Sequence, residues 1–225
     1  MFLSKVIILA LIGAIQAKLI NLSCKDIQAF VDGHNWRRLL LAQGKVAGQP
    51  AAKHMQMMLW DDELANKAAN WASLNIYDHN PDKTLASGRF ETGENIYRYQ
   101  TTDQDYHFDL DTALAAWFDE YKDFPFKTLE PSDFESPVDV GHYTQMAWAN
   151  TVLVGCAISN YKEGQWNTFL VVCDYGPQGN MLGEEPYEEG TANNALYCKR
   201  SKYVNCDLKY GSRCSTWGFW DYPNY

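Results

Sequence analysis

His142 stands in the run Gly141-His142-Tyr143-Thr144-Gln145-Met146-Ala147-Trp148, one of five histidines in a chain of 225 residues. A neutral imidazole can ligate a borderline divalent ion or carry a proton near neutral pH. Carboxylates are the natural companions for either task. Candidates are Glu94, in Gly93-Glu94-Asn95-Ile96, and Glu120, three residues after Trp117; a second imidazole, His79, follows Tyr77-Asp78. Two imidazoles with two carboxylates can hold an ion such as Zn2+ and leave positions open, or form a coupled titrating cluster, or knit helices together as a polar network. These groups are scattered from position 79 to position 142, and spacing alone does not pair them. Thr144 lies close to His142, but the chain has no Gly-x-Ser-x-Gly and no His-Glu-x-x-His, so no motif marks an activated nucleophile. His34 reads as a hydrogen-bonded helix residue, Arg38 as a structural charge partner, and His54 and His107 as surface groups.

The elements that must position these groups are legible from periodicity. From Lys25 to about Gln43, Ile27, Phe30, Val31, Leu39, Leu40 and Leu41 fall at helical intervals and Gly44 supplies a stop. A second helix starts at an Asp61 or Asp62 cap and carries Leu64, Ala68, Trp71 and Ala72. A third spans Asp109 to about Lys122, with Leu110, Leu114, Trp117, Phe118 and Tyr121 on one face. Tyr143, Met146 and Ala147 mark a short helix around His142. Val152–Tyr161 and Thr168–Tyr175 read as strands of an antiparallel hairpin joined at Lys162-Glu163-Gly164. The polar tract 77–91 and the three-proline segment 123–140 read as loops. Helices first and strands later favour an α+β fold over a parallel sheet.

Residues 1–17 have Lys5, an apolar run from Val6 to Ile15 and a small residue, Ala17, at the expected cleavage point, the pattern of a secretory leader. The run is shorter than the roughly 20 apolar residues that span a bilayer, and no transmembrane segment is expected. The chain carries 19 Lys and Arg against 28 Asp and Glu, a net charge of −9. That balance excludes charge-driven binding to nucleic acid or anionic membrane. All six cysteines follow the leader, and an even number in an oxidising compartment implies three bridges. No Cys-x-x-Cys pair supports a zinc finger. Asn21-Leu22-Ser23 is a glycosylation sequon.

The segment around His142, together with Leu170-Val171-Val172-Cys173-Asp174-Tyr175-Gly176-Pro177-Gln178-Gly179-Asn180, resembles the signatures of the CAP family, the cysteine-rich secretory, antigen 5 and pathogenesis-related proteins. His34-Asn35-Trp36-Arg37-Arg38, Trp60-Asp61-Asp62-Glu63-Leu64-Ala65 and Gly93-Glu94-Asn95-Ile96 resemble further elements of that family. The resemblance is strongest to arthropod venom allergen 5 and salivary antigen 5 proteins. It implies an α-β-α sandwich, a small antiparallel sheet between helical layers. The corresponding division is a leader at 1–17, a CAP domain at 18–190 and a cysteine-containing extension at 191–225.

That resemblance also gathers His79, His142, Glu94 and Glu120 into one cleft, where weak, reversible Zn2+ binding is expected and no cofactor is required. It implies a monomeric, extracellular, non-enzymatic protein that binds a small hydrophobic ligand (sterol, fatty acid or eicosanoid) or a host protein, with Phe108, Phe124, Phe126 and Tyr143 as groove residues. The alternatives are a metal-dependent hydrolase, with a metal-bound water as nucleophile, and an interaction protein acting through the aromatic tail Trp217–Tyr225. Cys156 is expected to pair with Cys173 across the hairpin. Cys24 then joins one tail cysteine, with Cys198 preferred over Cys206 and Cys214. Two departures stand out. Asn75 and Asp82 occupy positions where antigen 5 relatives carry a cysteine pair around the first histidine, and Asp174 replaces the usual asparagine.

Overall fold

The structure is a computed structural model that describes residues 18–215; the leader and the aromatic tail lie outside the described residues. The element order is β1 (Lys18–Leu19), α1 (Cys24–Ala42), β2 (Leu59–Trp60), α2 (Asp62–Ala72), β3 (Gly93–Thr101), α3 (Leu110–Asp119), α4 (Gly141–Ala147), β4 (Leu153–Glu163) and β5 (Trp166–Gly176). Strands run in the order β1-β4-β5-β3, with β2 parallel to one end of β4 and the other pairings antiparallel. The hairpin pairs Glu163 with Trp166, so Gly164-Gln165 form its two-residue turn, and Gly164 takes the positive φ of 61° that the turn requires.

Strand alternation sends β5 side chains to two different cores, which is what makes the fold a sandwich. Leu170 and Val172, with Ile96 and Ala157, meet Ala68 and Ala72 of α2. Val171 and Cys173 belong to the larger core with Phe30 and Val31 of α1, Trp117 of α3, and Tyr143 and Met146 of α4. Gly155 lies where α2 presses on the sheet: a Cβ there would come within 2.1 Å of the Ala65 nitrogen.

Local chemistry sets the helix starts. Ser23 and Asp26 form a reciprocal capping box for α1, and Asp61 accepts from the N–H groups of Glu63 and Leu64. In α1 the buried stripe runs through Ile27, Phe30, Val31, His34, Arg38 and Leu41, while Leu39 and Leu40 are only half-buried. Arg38 has carbonyl partners where a charge partner was expected. Its guanidinium donates to the carbonyls of Gln56, Met146, Trp148, Ala149 and Thr151, so one cation fastens α1 to the end of α4. Desolvation lowers its pKa to about 9.

Cys156 and Cys173 are bridged as expected, directly opposite each other on β4 and β5 with a Cα separation of 4.1 Å. The preferred Cys24–Cys198 pairing is corrected: Cys24 is bonded to Cys214, and Cys198 to Cys206. The returning chain explains the choice. Tyr197 exchanges backbone hydrogen bonds with Met55 and Met57, holding Cys198 away from the start of α1. Lys209 pairs with Asp32 at 2.6 Å and Arg213 donates to the Leu22 carbonyl at 2.7 Å, which sets Cys214 beside Cys24.

Candidate functional site

His142 is the second residue of α4, whose first turn has no cap from its own flanking side chain. Glu120 does that work from the end of α3. Its Oε2 accepts the backbone N–H of His142 and of Tyr143, both at 3.0 Å, and its Oε1 lies 2.6 Å from Nδ1 of His142. The imidazole stacks on Trp117, one turn before Glu120, at 6.1 Å between ring centroids. Trp117 in turn donates from Nε1 to the Ile96 carbonyl on β3.

The second pair hangs from β3. Glu94 is mostly buried, and its Oε1 accepts from Nδ1 of His79 at 2.8 Å and from the Asn80 N–H at 2.9 Å. His79 sits in the loop after α2 with its side chain 62% exposed. The hydrogen bond to Glu94 raises its pKa. The two rings face each other at 6.5 Å between centroids, so the four dispersed residues meet as two imidazole–carboxylate pairs. Nδ1 is engaged in both rings, which leaves Nε2 of each as the remaining ligating nitrogen; carboxylate-oriented histidines of this kind are a recurring companion of metal sites. Among the described residues no three His, Cys, Asp or Glu side chains form a ready coordination shell, so the donor set on hand is two imidazole nitrogens.

Beside the His79–Glu94 pair lies a cleft of about 670 Å³ whose lining also includes Lys83, Asp174, Phe134, Met181 and Leu182. Asp174 stands directly across the strands from Glu94. It is fully buried, and neither of its carboxylate oxygens has a hydrogen-bond partner among the described residues. Burial first, then the Glu94 charge, pushes its carboxyl up to about 8. Gly93 keeps the floor tight, since a Cβ there would meet Gln145 Oε1 at 1.9 Å; that oxygen accepts the Gly179 N–H.

The proposed groove residues separate. Phe108 is half-buried and lines a second cavity, of about 760 Å³, between α1 and the start of α3. Phe124 and Tyr143 are core residues instead; Tyr143 donates to Gln49 Oε1 and its ring meets Phe118, Tyr121 and Phe124. Phe126 packs on Tyr187 at 4.7 Å. The second cavity has its apolar wall from Ala29, Trp36, Leu110 and Leu114, which no groove expectation named. Their helical spacing was visible, but the pairing of two helix faces was not.

Thr144 Oγ1 is turned into its own helix, donating to the carbonyls of Val140 and Gly141. His34 is locked in the core. Its Nδ1 donates to the Phe30 carbonyl at 2.7 Å, so Nε2 accepts from the Tyr175 hydroxyl at 2.9 Å, and burial depresses its pKa to about 3. His54 and His107 are exposed.

Residues 31–175 match the cysteine-rich secretory protein family, CAP, and the chain belongs to it. It is 36% identical over 205 residues to a salivary antigen-5 of Dipetalogaster maximus, covering 82% of this chain and 79% of that one. It is 37% identical over 164 residues to venom allergen 5 of Dolichovespula arenaria, covering 70% and 78%. Among solved structures, NaASP2 with Zn2+ superposes with a TM-score of 0.61 at 33% identity over 73% of this chain and 85% of that one. BmVAL-1 superposes with a TM-score of 0.62 at 29% identity over 82% and 90%. No helix among the described residues is long and apolar enough to cross a membrane.

Proposed function

We propose that this is a secreted, antigen-5-type CAP protein that acts by capturing a small apolar ligand, not by turning one over. The observation that carries this reading is the cavity between α1 and α3. Its volume of about 760 Å³ lies within the range of small-molecule sites, and its wall of Ala29, Trp36, Phe108, Leu110 and Leu114 is the apolar lining such sites use. The rim bears Asp26, Asp32, Asp109 and Asp111 against Lys25 and Arg37. Asp111 is paired with Arg37 at 2.9 Å and Asp32 with Lys209 at 2.6 Å. The remaining acidic excess favours a neutral ligand with a hydroxyl group, a sterol, over the carboxylates of fatty acids and eicosanoids. The leader-like residues 1–17 and the salivary and venom names of the relatives support secretion.

Titration with a fluorescent sterol, with oleate and an eicosanoid as comparison arms, tests the reading. Saturable sterol binding that weakens at least tenfold in Trp36→Ala is expected. Absence of binding by every arm overturns it, and tighter binding of oleate overturns the choice of a sterol.

A divalent ion such as zinc at His79 and His142 is a second reading, favoured by the orientation of both imidazoles through Nδ1. When bound, the ion would supply a Lewis acid; Glu94 and Glu120 would orient the rings. The NaASP2 structure with Zn2+ supports it by relationship. Calorimetry is expected to show binding heat that disappears in His142→Ala and affinity that falls below about pH 6.5, as protons compete for imidazole. Zinc affinity unchanged in a His79→Ala, His142→Ala double variant overturns it. A hydrolase with a side-chain nucleophile has less support, because the Thr144 hydroxyl is spent on helix carbonyls.

A further inference from the structure

The cleft beside the His79–Glu94 pair has a floor of carboxyl oxygens with no internal partner. Asp174 is fully buried, lines the cleft, and both its oxygens lack a hydrogen-bond donor; Glu94 Oε2, across the strands from it, is likewise buried and unpartnered. Three acceptor oxygens are thus gathered without a donor. Buried acceptors left in this state cost free energy unless a ligand, an ion, water or a shared proton satisfies them. Two lysines stand close by: Lys67 on α2 spends its ammonium on the Asp82 carbonyl, and Lys83 lines the cleft itself, so a cationic ligand must seat on the carboxyl floor and away from Lys83.

The same cleft also has apolar, open lining. Phe134 is 45% exposed, Met181 40% and Leu182 56%, and all three line the cleft. An isolated metal ion would use the floor and leave this lining idle. A purely apolar ligand would use the rim and leave the carboxylates unpaired.

From this geometry we infer that the cleft between β3, β5 and the Phe134 and Met181–Leu182 loops binds a primary arylalkylammonium ion. Its three N–H donors match the Asp174 oxygens and Glu94 Oε2, and its ring lies against Phe134 and Met181, contacts that aromatic rings make favourably. An ammonium seated there favours the ionised form of Asp174 and makes charge-assisted hydrogen bonds to it and to Glu94, the stronger kind, and the net charge of −9 attracts a cation from solution. This cleft shares no lining residue with the sterol cavity between α1 and α3, so the two readings stand or fall separately.

The test uses the full secreted chain in chelator-treated buffer, with tryptamine as the probe and 3-ethylindole as its uncharged counterpart. Calorimetry is expected to show one tryptamine per chain, binding at least tenfold tighter than 3-ethylindole. Asp174→Asn, which keeps the side-chain shape and removes the charge, is expected to lose at least tenfold in tryptamine affinity while melting no lower than the parent. Phe134→Ala, at an exposed position, is expected to weaken tryptamine several-fold with the melting temperature unchanged. Equal affinity of the two probes, or an undiminished affinity in Asp174→Asn, would sink the proposal. So would displacement of tryptamine by millimolar Ca2+ or Mg2+ with loss of that effect in Asp174→Asn, since the floor would then be a hard-cation site.

Discussion

Glu120 holds His142 at both ends: one carboxylate oxygen accepts the residue's backbone N–H at 3.0 Å and the other lies 2.6 Å from its Nδ1. The same side chain therefore caps a helix and orients an imidazole. Glu120→Gln keeps one acceptor oxygen, whereas Glu120→Ala leaves the α4 N-terminus bare. We expect Glu120→Ala to lower stability by about 1–3 kcal/mol and Glu120→Gln by less, as read by denaturant unfolding. Equal losses for the two would show that the cap is not what the carboxylate contributes.

Arg38 is a second single-residue fastening. Its planar guanidinium reaches five carbonyls, three of them in the 148–151 turn after α4, a geometry that the point charge of lysine does not reproduce. Arg38→Lys is expected to cost about 3 kcal/mol or more, because several buried carbonyls lose their donors at once. Urea unfolding measures it, and a loss under 1 kcal/mol contradicts the fastening.

Acid sensitivity has a defined origin. His34 has a folded pKa of about 3 against 6.5 in the unfolded chain, so its contribution is fully present above pH 6.5 and is lost as pH falls from there toward 3. The loss is on the order of 4 kcal/mol across that window. His79 works in the opposite direction: its raised pKa adds stability that is present below pH 6.5 and disappears as pH rises through the raised value, a small effect for an exposed side chain. Melting curves of His34→Gln are expected to show a flatter acid limb than the parent, and an unchanged limb would assign the acid loss to other groups.

Gly155 is the tightest contact between α2 and the sheet. A methyl group there would sit 2.1 Å from the Ala65 backbone nitrogen and 2.6 Å from the Asp61 carbonyl oxygen, atoms that cannot rotate away. Gly155→Ala is expected to destabilise by about 2 kcal/mol or more, and a melting temperature within a degree of the parent would contradict that spacing.

The Cys24–Cys214 bridge closes a loop of 190 residues. Removing it as Cys24→Ser, Cys214→Ser is expected to cost about 2–4 kcal/mol. Peptide mapping without reduction checks the pairing directly, and a Cys24–Cys198 peptide would refute it.

Much of the scaffold was legible before any coordinates. The Asp61 cap, the apolar spacing of α1, α2 and α3, and the strand–Gly–strand hairpin are local signals, set by residues within one or two turns of each other. Strand β3 was not anticipated. Tyr97-Arg98-Tyr99-Gln100 does alternate aromatic and polar residues, a short local signal, and β5 turns it into a strand by offering a full ladder from Gly93 to Thr101. The third helix was expected to reach Lys122, but it ends at Asp119 and tightens into a 3₁₀ turn over Glu120–Lys122.

The sequence by itself determined which chemistry is available: the four helices and the β4–β5 hairpin, the CAP motifs, the number of cysteines, and the types of the four cleft residues. Tertiary structure alone decided what those groups meet. Glu94 faces His79 and Asp174 because β3 lies beside β5 in one register, and a one-residue slip would break both relationships. Cys24 meets Cys214 rather than Cys198 because the returning chain is pinned at Tyr197 and again at Lys209. Such pairings depend on distances closed by the whole fold, and a linear order of residues holds no record of those distances until the chain has packed.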